Sequence, residues 1–390
     1  MDNLSKSYYM PAFFLFLVCF LSIGLFLKKT SQAIDYWLFL GSFPSLVINS
    51  NRVHEWFTEV FHSLGRGSFF IDGPIFSNLK YFVTCHPQNI EYILKTNFNN
   101  FPKGPEFKQI FSPLGDGILN ADYDTWKVQR RMAHTVFMSR EFKNLISNIS
   151  RKVVKEQLVP LLVHVSRTGT TINLQEVCSR FGFVVNMNAM FGTDVTYLSI
   201  ELPSNDLAEA IEDIQEAVFY RHTVPMFVWK LMRLFGIAGN TIASGLIWFF
   251  WLVSKTPSVE KKVLEELKEL LSSKMGKLSE YNEWPWVFHS DDINGLVYLH
   301  AALCESLRLY PAVPINSKTV LNEVVLPDGS LIKPGTQILI PFYSVGRMPW
   351  IWGEDCLEFK PERWIGVDGM LTRNENTSKF FTFESLYNLY

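Results

Sequence analysis

Tyr298-Leu299-His300-Ala301-Ala302-Leu303-Cys304-Glu305-Ser306-Leu307-Arg308-Leu309-Tyr310-Pro311 is the stretch on which the fold reading turns. Its pattern predicts a helix from about Val297 to Leu309 that stops at Pro311, because proline cannot continue a helical ladder. Glu305 and Arg308 are three apart, so they share a face and can form a charge-assisted pair. An isolated pair of this kind is usually a solvated surface contact. Here the neighbours are Leu, Ala, Cys and Tyr, so the pair is expected to be buried and to need partners. Phe359-Lys360-Pro361-Glu362-Arg363-Trp364 offers a second guanidinium. A Glu305 that bridges Arg308 and Arg363 locks a helix to a distant loop.

Working outward, Leu79–Thr84 reads as a short strand and Pro87 as a helix start. Asp122–Phe137 and Phe142–Val163 are helix-like. Ser258–Leu271 sets an apolar stripe of Val259, Val263, Leu267, Leu270 and Leu271 against a Lys/Glu face. Ile242–Val253 is too short to span a bilayer and reads as a buried helix. Later the texture changes: Lys318–Val325 and Leu331–Ile340 are rich in β-branched residues and are split by the turn Pro327-Asp328-Gly329. The expected class is mainly α with a small antiparallel β-sheet. No linker or internal repeat interrupts residues 31–390, which are expected to form a single body.

Composition narrows the function classes. Of 390 residues 48% are apolar and 15% aromatic, with 33 Phe, enough for a large core and incompatible with disorder. The 36 Lys and Arg nearly balance the 38 Asp and Glu, giving a net charge of −2 and no electrostatic handle on nucleic acid. Cys19, Cys85, Cys178, Cys304 and Cys356 lie far apart, without metal-site spacing, and fit a reducing compartment. The eight histidines form no HExxH-type pair, so no protein-built metal site is expected.

Tyr8–Leu27 runs 20 residues without a charge, and at about 1.5 Å per residue this length crosses a hydrocarbon core of about 30 Å. Lys28 and Lys29 follow it, against Lys6 before it, which favours a cytosolic body. Ser31-Gln32-Ala33 leaves open a cleaved signal peptide, but the apolar run exceeds a signal core. Residues 1–30 are therefore expected to be a transmembrane anchor.

With these residues in hand, the chain resembles the cytochrome P450 family, in which E-x-x-R and P-E-R-W/F form the lock described above. Trp126-Lys127-Val128-Gln129-Arg130-Arg131 is similar to the family's W-x-x-x-R helix, and Leu114–Asn120 to the loop before it. Trp126 and Arg130 are four apart, and the resemblance places both at a haem propionate, where indole N–H and guanidinium suit a buried carboxylate. A Trp stacked on an Arg at helical spacing is the plainer alternative. The resemblance runs from about Pro44 to Phe383, and it is closest to the plant fatty-acid omega-hydroxylase and alkane hydroxylase group. It implies haem, dioxygen, electrons from an NADPH-dependent P450 reductase, a hydrophobic small-molecule substrate and an endoplasmic reticulum membrane with the body facing the cytosol.

The sequence departs from the family at two places. The F-x-x-G-x-R-x-C loop carries the cysteine whose thiolate binds haem iron. Phe383 matches its first position, but Leu386, Asn388 and Tyr390 stand where Gly, Arg and Cys belong. The proximal cysteine is thus expected to be absent and the chain truncated after 383. The oxygen-side motif Ala-Gly-x-(Asp/Glu)-Thr reads Ala238-Gly239-Asn240-Thr241, one residue short and without the acid. Thr241 keeps a hydroxyl for oxygen or water, whereas Asn240 cannot deliver a proton as a carboxylic acid does. Trp229–Phe235 runs straight into that motif where the family interposes several helices, so an internal deletion near 235–240 is expected. Two functional readings result: a haem-dependent monooxygenase hydroxylating long aliphatic substrates by lineage, and an inactive, incomplete P450 relative held at the membrane.

Overall fold

The computed structural model describes residues 29–30, 34–37, 39–75, 80–111, 115–193, 196–203, 243–275 and 295–372. The apolar run Tyr8–Leu27, Thr241 with its motif, the join near 235–240 and the Phe383–Tyr390 segment lie outside the described residues. Among the described residues no helix is long and apolar enough to cross a membrane.

In chain order the helices are α1 Phe43–Ile48, α2 Val53–Leu64, α3 Pro87–Glu91, α4 Gly104–Ile110 and α5 Tyr123–Met138. Next come α6 Arg140–Val153, α7 Val159–Thr168, α8 Leu174–Phe191, α9 Ala243–Lys255 and α10 Pro257–Met275. α11 Val297–Leu309, α12 Phe342–Val345 and α13 Pro349–Trp352 complete the set. The strands are β1 Lys29–Thr30, β2 Asp35–Tyr36, β3 Ser68–Asp72, β4 Lys80–Thr84, β5 Asn316–Thr319, β6 Val324–Val325, β7 Leu331–Ile332 and β8 Gln337–Ile340. The chain divides into two compact units: residues up to Pro102 with Ile315–Gly353, and Lys103–Pro314 with Glu354 onward.

The first unit holds a four-stranded sheet in the order β3-β4-β8-β5. This sheet is mixed, which corrects the expected antiparallel one: β4 and β8 run parallel, while β3–β4 and β5–β8 are antiparallel. β4 and β8 come from opposite ends of the chain, so no hairpin turn dictates their relative direction. The expected late hairpin is present as two separate ladders, β6–β7 around Pro327–Gly329 and β5–β8 beyond it. α2 buries Trp56, Phe57, Val60 and Phe61. Phe57 and Phe61 meet Phe69 of β3 edge-on, with ring centroids 5.9 and 4.9 Å away. A polar knot ties the β6–β7 turn to this sheet. Ser68 Oγ donates to Asp328 Oδ2 at 2.6 Å, and the Asp328 N–H donates to Oδ1 of fully buried Asn89 at 3.1 Å.

At the start of this unit, Gly41 has φ of 58° and lies against the backbone of β3's end. A Cβ there would fall 2.3 Å from the carbonyl oxygen of Asp72. Both the dihedral and the space require glycine.

In the second unit α6 and α7 are one helical run interrupted by a wider turn, Val154–Leu158, in which the Val159 N–H reaches back to the Val154 carbonyl. Pro160, just beyond, has no N–H to return to Glu156, so the ordinary ladder fails at this point. Ile149, Val153, Leu161 and Val165 lie in one apolar cluster with Val177 and Val184 of α8. Buried Gln157, from the wide turn, accepts the Leu198 N–H at 3.3 Å. Buried Arg180 of α8 donates to the carbonyls of Tyr197 and Pro203 at 3.0 and 2.6 Å. These two side chains pin residues 196–203 to the helices.

α9, α10 and α11 form the layer that presents the E-x-x-R segment. Phe249, Val259, Val263 and Ala302 are its buried centre, with Val253, Leu267 and Phe359 packed around them. α9 is buried on one side rather than all round. Phe249 and Leu252 are covered, but Trp248, Phe250 and Trp251 are 36%, 46% and 44% exposed. The partner of that outer side is Tyr310, whose ring stacks on Trp248 at 3.9 Å and meets Trp251 edge-on at 6.1 Å.

Candidate functional site

α11 carries Glu305 and Arg308 on one face, and both are fully buried, at 0% and 1% exposure. Arg308 Nε donates to Glu305 Oε2 and Arg308 Nη2 to Glu305 Oε1, each at 2.7 Å. Arg363, from the short turn Pro361–Trp364, donates through Nε to the same Oε1 at 3.2 Å. Trp364 Nε1 donates to Oε2 at 2.9 Å and the Lys360 N–H to Oε1 at 3.1 Å. One carboxylate therefore collects five donors. The donors that Arg308 has left go to the carbonyls of Cys356 at 2.7 Å and Glu358 at 3.1 Å. Arg363 Nη2 donates to the Asp355 carbonyl and lies 2.7 Å from Asp355 Oδ1. A buried ion pair is tolerable only when remaining lone pairs and protons are satisfied in this way.

Hydrogen bonds from Lys360 and Arg363 hold the Asp355 carboxyl down to about 2. On the outer side of the same turn, Glu362 accepts from Lys262 Nζ at 2.6 Å and from the Tyr298 hydroxyl at 2.9 Å. Burial pushes the Glu362 carboxyl up, but those two hydrogen bonds and its own N–H outweigh it, and the net shift is downward. Burial, then Glu362 beside it, pushes the Tyr298 hydroxyl up. The sequence places Trp364 in the P-E-R-W/F motif without assigning its indole to Glu305, and it gives no sign of the parts played by the Lys360 N–H and Asp355.

Trp126 and Arg130 lie on α5, four residues apart and hence on one face, and both are half-buried. α5 buries no residue completely, and Val128, Met132 and Val136 along it are at least half exposed. The loop before it is fastened by Lys103, whose Nζ donates to the carbonyls of Ile118 and Ala121 at 2.9 and 2.8 Å. Asp122 Oδ1 in turn accepts the Lys103 N–H at 2.9 Å.

Four cysteines fall among the described residues, and none is in a disulfide. Burial raises the thiols of Cys85, Cys178 and Cys356 above their ordinary value. The Cys356 backbone carbonyl accepts from Arg308 Nη1 at 2.7 Å.

The sequence pattern of the family described as Cytochrome P450 matches this chain over residues 35–238 and 230–384. The chain belongs to the cytochrome P450 family. Among curated relatives, Alkane hydroxylase MAH1 of Arabidopsis thaliana is 33% identical over 450 aligned positions, covering 96% of this chain and 86% of the relative. Cytochrome P450 86B1 of the same plant is 33% identical over 93% of this chain and 78% of its own length. Noroxomaritidine synthase 2 of Narcissus aff. pseudonarcissus MK-2014 is 29% identical over 96% and 85%. Membership implies haem, a reductase as redox partner and a hydrophobic substrate. Among the described residues of this P450, Trp126 and Arg130 share one face of α5, and Cys85, Cys178, Cys304 and Cys356 are thiols outside any disulfide.

Proposed function

We propose that this cytochrome P450 derives from an enzyme that inserts one oxygen atom into a C–H bond of a long aliphatic chain, a fatty acid or an alkane. The observation that carries this reading is the 33% identity to a protein named alkane hydroxylase across 96% of the chain. When bound, haem supplies the oxygen-activating chemistry, with electrons from an NADPH-dependent reductase. The chain's own residues have separate tasks. Trp126 and Arg130 hold propionate carboxylates through an indole N–H and a guanidinium. Thr241 would offer a hydroxyl to oxygen or water, and Glu305, Arg308 and Arg363 brace the scaffold. Tyr8–Leu27 anchors the body to the endoplasmic reticulum membrane on its cytosolic side.

A second reading, a P450 relative that no longer turns over, rests on Leu386, Asn388 and Tyr390 at the Gly, Arg and Cys positions of the iron-binding loop. The 450 positions aligned with the alkane hydroxylase also exceed the 390 residues of this chain, in keeping with an internal gap. Recording the reduced, carbon-monoxide-bound spectrum of the purified chain separates the two. A thiolate-type Soret band, followed by hydroxylated products from fatty acid or alkane with reductase and NADPH, establishes the first reading. Haem-free protein or a non-thiolate band establishes the second.

A further inference from the structure

α11 begins without a cap of its own. The residue before it is Leu296, which makes no side-chain capping bond, and its first turn holds no acidic residue. The first N–H groups of a helix have no partner within it, and a capping side chain normally serves the second and third of them. Those are Tyr298 and Leu299. Their N–H groups donate to Glu266 Oε1 at 2.7 Å and Oε2 at 2.8 Å. Glu266 is on α10, so both oxygens of one carboxylate cap a different helix, and the anion sits at the end that favours negative charge.

α10 is held in place to do this. Lys262 is four residues before Glu266, on the same face. It pairs with Glu362 at 2.6 Å and lies over the Tyr298 ring at 5.3 Å. Glu362 also takes the Tyr298 hydroxyl. The two α10 side chains therefore grip the start of α11 and the turn that carries Arg363.

We propose that Glu266, supported by Lys262, is the positioning residue that caps α11 and sets where that helix begins. The assignment concerns the helix itself and goes beyond any reading of turnover.

Residue-resolved amide hydrogen exchange on the full chain tests it. Glu266→Ala is expected to speed exchange at Tyr298 and Leu299 by about tenfold or more, the scale of a lost charge-assisted hydrogen bond. Glu266→Gln, whose carbonyl still accepts, restores part of the protection. The Lys360 amide, bonded to Glu305, is expected to change far less than those two. Unchanged exchange at Tyr298 and Leu299 overturns the proposal, as does equal loss at Lys360, which marks general loosening. If Glu266→Ala does not fold, Lys262→Ala replaces it. A smaller rise confined to the same two amides supports the assignment, and no rise there overturns it.

Discussion

Glu305 and Arg308 face each other as two parallel hydrogen bonds of equal length, 2.7 Å, inside a region that excludes water. The same carboxylate serves Arg363, Trp364 and the Lys360 backbone, so removing its charge strands several donors together. Glu305→Gln is expected to destabilise the protein by about 3–5 kcal/mol, the cost of breaking a buried pair from one side. Denaturant unfolding and soluble yield measure this. Arg308→Lys is expected to follow, because an ammonium cannot keep the fork to Glu305 while also reaching the Cys356 and Glu358 carbonyls.

Asp355 gives the acid limb of the stability curve. Its folded carboxyl titrates near 2, below the ordinary Asp value of about 3.9, so its contribution is full above the latter and fades as pH falls toward the former. Asp355→Asn is expected to flatten stability loss within that window and to lower stability at neutral pH. Solvent screening keeps the effect under about 1 kcal/mol. Thermal unfolding between pH 2 and pH 7 reads it, and an unchanged slope in the variant contradicts the pairing.

Gly41→Ala asks the chain to place a methyl group onto the Asp72 carbonyl at a backbone angle that L-residues rarely adopt. A cost of about 1–3 kcal/mol is expected, since neither neighbour is a flexible side chain. Denaturant midpoints compare the two proteins directly, and Gly65→Ala, with a similar φ but open space around it, is the control and should cost less.

Thiol labelling provides a fourth check. Cys85, Cys178 and Cys356 are buried with raised thiols, so they should react slowly with a disulfide reagent at neutral pH and rapidly after denaturation. Fast labelling of Cys356 in the native protein is inconsistent with the packing around Arg308.

The sequence was most legible where one residue type forces the local outcome. Pro311 ends α11 near Leu309, and Pro327-Asp328-Gly329 turns the chain between β6 and β7. The charges of Glu305 and Arg308 stood out because they interrupt an apolar stretch. α2 and α8 were not read. α8 distributes Phe, Val and Met around its circumference, so its periodicity is weak, and Met190 and Phe191 end up mostly exposed. The parallel β4–β8 pairing joins distant segments and leaves no local trace. Glu266 was seen as one member of a charged face, since nothing in α10 says which helix its carboxylate caps.

The wide turn at Val154–Leu158 has a consequence for insertions and deletions. Ile149, Val153, Gln157, Leu161 and Val165 recur every four residues, a spacing that an ordinary helix, at about 3.6 per turn, would wind steadily out of phase. The extra residue taken up in that turn absorbs part of the drift, so both halves of the run point inward. Returning the pitch to normal with every residue kept would swing Leu161 and Val165 about 100° toward solvent, whereas excising Lys155 as well would leave them in phase with Ile149 and Val153. The reading frame of this helix is thus set by its irregularity.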